Sequence, residues 1–386
     1  MLPSSFQDVD LNDIKSVVKV LKSNYLTQGP FIEKFEKKVS NLVNSKYSIA
    51  VNSATSALHI SCIALGVGKN DLVWTVPNTF VSSANCALHC GAKIDFVDID
   101  SNTFNMCISS LEKKLKNCLK EKKQLPKILI TVDFAGLPID LKKIYSLSKK
   151  YNFKIISDSS HSLGSYFNKT PVGNSKYANI TIFSFHAVKN ITTGEGGMAL
   201  TKDKKIYNKL KMLRTHGITR DKKQFKSKKY SPAHYEQHLL GFNYRMTDFQ
   251  AALGISQLSK LTKFIKKRNY LAKIYINNLQ NLPLKYQKVE KNCLSSYHLF
   301  LIVLDLKKIK RSYNQIFTYL KNKNILVNKH YPCVHLQPYY KKLGFKKNMF
   351  LNSEAYEKAA ISLPIATTMT KKNIIYITNA LKEIIK

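Results

Sequence analysis

Apolar residues fall in short unbroken runs through the first two hundred positions, separated by stretches with helical spacing. The runs predict strands at Tyr47–Val51, Leu72–Val76, Lys93–Ile99, Lys127–Phe134, Lys154–Ser157, Asn179–Phe185 and Gly197–Thr201. Several are continuous in Val, Ile and Phe rather than alternating, as expected of strands covered on both faces. Ala54–Leu65, Ser82–His89 and Leu141–Tyr151 read as helices between them. Such alternation predicts an α/β fold built on a doubly wound, mostly parallel seven-stranded sheet.

The pattern then changes. A polar, Lys-rich stretch at Asp221–His238 reads as a surface loop, and a long helical region begins near Thr247. Beyond it the chain predicts a strand at Tyr297–Leu304, a helix at Tyr313–Lys321, a strand at Ile325–His330, and helices at Glu354–Ile361 and Lys371–Ile385. The natural division is a large domain, 1–264, and a smaller C-terminal α+β domain, 265–386. No internal repeat or low-complexity linker interrupts it.

Composition narrows the possibilities. The 386 residues are 44% hydrophobic, ample for a packed core. The formal charge is +38, from 62 Lys and Arg against 24 Asp and Glu, yet only Arg214, Arg220, Arg245, Arg268 and Arg311 are Arg. Scattered Lys without an Arg-bearing patch is a solvated surface rather than a nucleic-acid footprint. Its field still favours anionic small ligands. The seven Cys are odd in number and form no CxxC pair, so no disulfide framework or zinc site is expected; Cys86 and Cys90 read as core packing. The N-terminal stretch lacks the basic start and apolar core of a signal peptide, and no run of about 18 apolar residues occurs. No metal, no membrane span and a cytoplasmic location are the expectations.

Three segments carry chemistry. Ser184 closes a strand, Lys189 follows, and Gly194-Glu195-Gly196-Gly197 leads into the next strand. A Lys outside the carboxyl end of a sheet strand can form a Schiff base, although a Lys-rich chain also places many Lys on its surface. Asp158 ends the apolar run Ile155-Ile156-Ser157, where a carboxylate needs a partner: a cationic ring nitrogen, or the N–H groups of a following helix. Asn52-Ser53-Ala54-Thr55-Ser56 follows the first strand and opens a helix, which suits a phosphate or simple N-capping by Ser53.

In order and spacing these segments resemble the DegT/DnrJ/EryC1/StrS family of sugar aminotransferases. So do Leu26-Thr27-Gln28-Gly29-Pro30, Pro77-Asn78-Thr79-Phe80-Val81, Leu213-Arg214-Thr215-His216-Gly217, Gly241-Phe242-Asn243-Tyr244-Arg245-Met246 and His330-Tyr331-Pro332. The resemblance covers nearly the whole chain. It implies an aspartate-aminotransferase-like fold (fold type I) and pyridoxal 5'-phosphate (PLP) as cofactor. Lys189 would carry the cofactor as a Schiff base and shuttle a proton, and Asp158 would keep the ring nitrogen protonated. Phe80 would stack on the ring, and His161 would lie near the ring hydroxyl. Ala54 (through its N–H), Thr55 and Ser184 would bind the phosphate. Asn243 would reach the phosphate of a neighbouring subunit, making a homodimer. His330 and Tyr331 would line the sugar pocket. Most relatives have Gly where this chain has Ala54, and an acidic residue where it has Ser157.

The activity implied is amino transfer from L-glutamate, which leaves as 2-oxoglutarate. The acceptor would be the 4-keto group of a UDP-linked 4-keto-6-deoxy-N-acetylhexosamine, in pseudaminic acid (nonulosonate) biosynthesis. The 3-keto position and other nucleotides stay open at this stage. Family members that dehydrate sugars carry His in place of the Lys, so Lys189 argues against that reaction. A non-catalytic regulator would have no use for a retained Lys189 and Asp158.

Overall fold

The structure, a computed structural model, describes residue 2 and residues 6–385. Its centre is a seven-stranded sheet: β1 (Tyr47–Val51), β2 (Leu72–Thr75), β3 (Lys93–Phe96), β4 (Ile128–Val132), β5 (Lys154–Asp158), β6 (Ile180–Ser184) and β7 (Gly197–Thr201), in the order β1-β7-β6-β5-β4-β2-β3. β2, β3, β4, β5 and β6 pair in parallel, while β7 runs antiparallel to both β6 and β1. Reversal of β7 brings its first residue to the edge where the others end: Gly197 lies opposite both Val51 and Ser184.

Burial on both faces explains the unbroken apolar runs. Ile128, Ile130 and Ile156 point to the face covered by α3 (Ala54–Ala64) and α4 (Ser82–His89). Their neighbours Leu129 and Ile155 point to the other face, with Leu111 of α5 (Ile108–Lys120) and Ile144 of α6 (Leu141–Tyr151). Each such side chain contributes about 1.5–3 kcal/mol through burial. At the β1 end the second face is covered by α2 (Pro30–Val43) and α8 (Asp248–Leu279). α1 (Leu11–Leu21) packs on α8, and α7 (Lys204–Arg214) on α3. α8 starts where expected, because Thr247 and Gln250 form a capping box.

The C-terminal part has its own antiparallel sheet, β8 (Leu284–Tyr286), β9 (Phe300–Leu304) and β10 (Ala360–Leu363), with β9 central. α9 (Tyr313–Asn322) and α12 (Lys371–Ile385) pack with it, while α10 (Pro338–Lys342) and α11 (Leu351–Ala359) lead back to the large sheet. α8 runs unbroken through positions 264 and 265, so one helix belongs to both parts.

Two expectations for this region need correction. The helix at Glu354–Ile361 stops at Ala359, and Ala360–Leu363 is a strand. Ile361 pairs with Ile302 in the core, and Pro364 favours extended backbone before it. Among the described residues no strand ladder forms at Ile325–His330: Ile325 bridges Leu2 and Asn328 bridges Ser362, so the run divides between two partners. The Lys-rich segment is largely an exposed loop, with one two-residue pairing of Ile218–Thr219 and Glu236–Gln237. Among the described residues no helix is long and apolar enough to cross a membrane.

Candidate active site

A cleft of about 760 Å³ opens at the carboxyl edge of the sheet. That is where ligands of open α/β sheets collect, and the size suits a small-molecule site. Nine of the ten residues expected at the site line it: Ala54, Thr55, Phe80, Asp158, His161, Ser184, Lys189, His330 and Tyr331. Asn243 does not; it is exposed, and pairs with Thr215.

Local structure places each group. After β1, Ser53 caps α3 by accepting the Ser56 N–H at 3.1 Å. Capping takes up one N–H and leaves those of Ala54 and Thr55 without a partner among the described residues, so the cap and a candidate anion site share one turn. Gly197 packs against this turn so closely that a methyl group there would overlap the Ala54 nitrogen and the Ser53 carbonyl. Only glycine permits that approach.

Lys189 sits on a closed loop between β6 and β7. Phe185 and Thr193 hold its ends through the Phe185 N–H to Gly196 O (2.8 Å) and the Thr193 N–H to Phe185 O (2.9 Å). Asn190 donates to the carbonyls of His161 (3.2 Å) and Leu163 (2.9 Å), tying the lysine loop to the loop after β5. Burial pulls the Lys189 amine down to about 8, against the opposing pull of the Asp158 charge. A substantial neutral fraction near neutrality suits an amine that bonds carbon and moves protons.

Asp158 is held by serines. Its Oδ1 accepts from the Ser160 hydroxyl (2.6 Å) and N–H (3.2 Å), and its Oδ2 from Ser83 of α4 (2.7 Å). Beneath it lies a second carboxylate, Asp133, which accepts from Ser159 (2.7 Å), Ser162 (2.8 Å) and the Ile139 N–H (3.0 Å). Burial pushes Asp133 up to about 6. Its bonds fix the turn that presents Asp158 and His161.

The opposite wall comes from the C-terminal part. His161 Nδ1 accepts the Ala135 N–H at 3.3 Å. A backbone N–H can only donate, so the neutral ring carries its proton on Nε2 and donates to the Tyr331 hydroxyl at 3.2 Å. His298 packs against His161 with ring centroids 4.5 Å apart, and its buried Nδ1 has no partner among the described residues. The buried Arg268 of α8 sets its backbone by donating to the carbonyls of Tyr297 (3.1 Å), His298 (3.2 Å) and Ile365 (2.9 Å). His330 Nδ1 lies 2.8 Å from Ser362 Oγ. Burial, reinforced by the Lys189 charge, pulls His330 down to about 4 and holds His161 well below the usual imidazole range. His298 is held low by burial and by His161, then Lys189. All three rings are therefore neutral at physiological pH. Phe80 leaves about half its surface open to the cleft, 5.9 Å from the Tyr331 ring.

Residues 7–382 match the DegT/DnrJ/EryC1/StrS aminotransferase family. The chain belongs to that family. It is a PLP-dependent aminotransferase. It is 36% identical over 387 residues to the UDP-4-amino-4,6-dideoxy-N-acetyl-beta-L-altrosamine transaminase of Campylobacter jejuni, covering 100% of this chain and 98% of the relative. Among solved structures it resembles PseC of Helicobacter pylori, an aminotransferase involved in the biosynthesis of pseudoaminic acid (TM-score 0.89, 29% identity, 100% and 99% of the two chains). It also resembles Spr1654 of Streptococcus pneumoniae in its PLP form (TM-score 0.87, 28% identity, 99% and 98%).

The aminotransferase's cleft fits the cofactor. Unpartnered N–H groups on α3 beside Ser184 match a phosphate, a serine-held carboxylate matches a ring nitrogen, a half-open Phe80 matches a ring face, and a buried amine matches an aldehyde. Sequence reasoning missed Ser83, Ser160, Asp133, Asn190 and His298. Ser83 carried a faint signal, one helical turn beyond Thr79 in the Phe80 segment. His298 had none, because its neighbours in the cleft are remote in sequence.

Proposed function

We propose that the protein moves the amino group of glutamate to the 4-keto carbon of a UDP-linked 4-keto-6-deoxy-N-acetylhexosamine, in the assembly of pseudaminic acid or a related nonulosonate. The observation that carries this reading is a buried Lys189 amine and a serine-held Asp158 lining one cleft with the open N-terminus of α3. The names of the relatives supply the sugar.

In this reading Ala54, Thr55 and Ser184 hold the phosphate, Phe80 covers one ring face, and His161 borders the ring hydroxyl. Asp158, held by Ser83 and Ser160, would pair with the ring nitrogen and keep it protonated. PLP, when bound, supplies an electron sink for the carbon that loses its proton. Lys189 Nζ takes that proton from the donor carbon and delivers it to the sugar carbon. Neutral His330, with Tyr331 still protonated because burial raises its pKa well above the usual phenol range, offers the sugar uncharged hydrogen-bonding groups. The net charge of +38 favours arrival of a nucleoside diphosphate. Asn243, exposed and outside its own cleft, serves the phosphate of a second copy, so the working unit is a homodimer.

The test is incubation with candidate UDP-4-keto sugars and glutamate, followed by mass analysis of the nucleotide sugar. A product with amine in place of carbonyl oxygen, at carbon 4, is expected. If glutamate is consumed in the first half-reaction while every UDP-4-keto sugar is recovered unchanged, the acceptor assignment fails.

A further inference from the structure

The hydrogen bonds through His161 run in one direction, and they leave one proton free at the cleft. The Ala135 N–H can only donate, so His161 Nδ1 accepts it at 3.3 Å and the neutral ring keeps its proton on Nε2. That N–H goes to the Tyr331 hydroxyl at 3.2 Å. The phenol oxygen is thus an acceptor toward His161, and its own proton must go elsewhere. Among the described residues no acceptor takes it, since His161 is the hydroxyl's one hydrogen-bond partner there. Tyr331 is half-buried and lines the cleft, so the spare O–H faces the space that a ligand fills.

Packing holds the ring in place. Phe80 and Phe134 flank it with centroids 5.9 and 6.1 Å away, and His161 stacks at 6.2 Å with the planes 28° apart. Burial, and then the Asp158 charge, keep the phenol protonated well above its usual range, so it remains a donor at physiological pH. Other polar groups in the cleft are committed. Ser160 gives its proton to Asp158, and His330 Nδ1 is paired with Ser362 Oγ. The Lys189 amine is needed at carbon.

Amino transfer unmakes one ketone and makes another, and both must present their carbonyl carbon to the same amine nitrogen. The carbonyl oxygen gathers negative charge as nitrogen attacks, and it needs two protons to leave as water. We propose that Tyr331, oriented by His161, is the catalytic proton donor to that oxygen in both half-reactions. This role rests on the proposed reading that the cleft is where amine meets ketone. In the first step a C–N bond forms, the C=O π bond breaks, and the oxygen takes the phenol proton. The nitrogen, now cationic, returns one proton to the phenolate. In the second step the C–O bond breaks as C=N forms, and the oxygen leaves as water with a second phenol proton. The last nitrogen proton restores Tyr331. Both amine protons end on one water, nothing is oxidised, and the release of 2-oxoglutarate runs the same steps in reverse. A donor placed where such charge develops accelerates a reaction by about 10²–10³-fold.

The experiment uses Tyr331→Phe, which keeps the ring and removes the hydroxyl. In single turnovers of the PLP-loaded enzyme with glutamate, release of 2-oxoglutarate should slow by about 10²–10³-fold while KM for glutamate stays within about threefold. A second measurement needs no turnover. PLP-loaded Lys189→Met is saturated with 2-oxoglutarate carrying ¹³C at its carbonyl carbon, and the carbonyl stretch is read by infrared difference. It should lie at lower wavenumber than in Lys189→Met/Tyr331→Phe, because a donated hydrogen bond weakens C=O. Equal stretches in the two proteins, or Tyr331→Phe turnover within about tenfold of wild type, overturn the proposal. If both measurements succeed while every UDP-4-keto sugar is recovered unchanged, the acceptor assignment fails and the role of Tyr331 stands.

Discussion

The two walls of the cleft are built by different means. The sheet wall consists of side chains within a few residues of strand ends: Ala54 and Thr55 after β1, Asp158 at the end of β5, Ser184 and Lys189 at the end of β6. The facing wall consists of His298, His330 and Tyr331, from irregular segments of the C-terminal part held by Arg268 and Ser362. The sheet wall holds the charges, Lys189 and Asp158. The facing wall is polar and neutral, because burial and the nearby Lys189 charge keep its imidazoles unprotonated. On the proposed reading, cofactor chemistry belongs to the first wall and recognition of the acceptor to the second.

The sharpest way to break this division is Lys189→Ala. Turnover should fall by about 10⁴-fold or more in both half-reactions, with loss of the visible absorbance of the bound cofactor. Activity within about tenfold of wild type would show that another group moves the proton.

Stability against pH isolates the buried amine. Lys189 falls from 10.5 to about 8 on folding. Below that window native and unfolded chains both hold the proton, and the native state bears the full cost of a buried cation. Within it the unfolded chain keeps a proton that the native chain has released, so native stability rises with pH. Cofactor-free Lys189→Met should therefore be more stable than wild type by about 3 kcal/mol at neutral pH, from about 2.5 pH units at 1.36 kcal/mol each. The gap should close as pH rises toward 10.5. Urea unfolding of both proteins across that range checks it, and a gap that does not change with pH contradicts the assignment.

His298→Gln gives the smallest effect and sharpens the comparison most. Its ring lines the cleft and packs against His161, while its Nδ1 is buried. On the proposed reading, loss of that ring from the facing wall should slow the sugar half-reaction by about 10- to 100-fold and leave the glutamate half-reaction unchanged. Equal slowing of both would place His298 with the cofactor rather than the sugar.

The sheet wall was legible because its information is local. An apolar run, a small or acidic residue and a helix start are contiguous, and the chain direction puts that junction at the ligand-binding edge. Tyr47–Val51 with Ser53, and the run ending at Asp158, can be read without knowing what pairs with what. The resemblance of motifs then assigned roles to Lys189 and His330 that periodicity alone could not.

Sequence by itself determined which candidate residues stand at strand ends, since hydrophobic runs and helix starts are short-range properties of the chain. Tertiary structure alone decided which distant groups meet them. Strand order placed Asp133 beneath Asp158, α4 brought Ser83 to the same carboxylate, and Arg268 carried His298 to His161. Hydrogen bonds between residues dozens to hundreds of positions apart leave no periodic trace, because what selects them is closed packing in three dimensions rather than spacing along the chain.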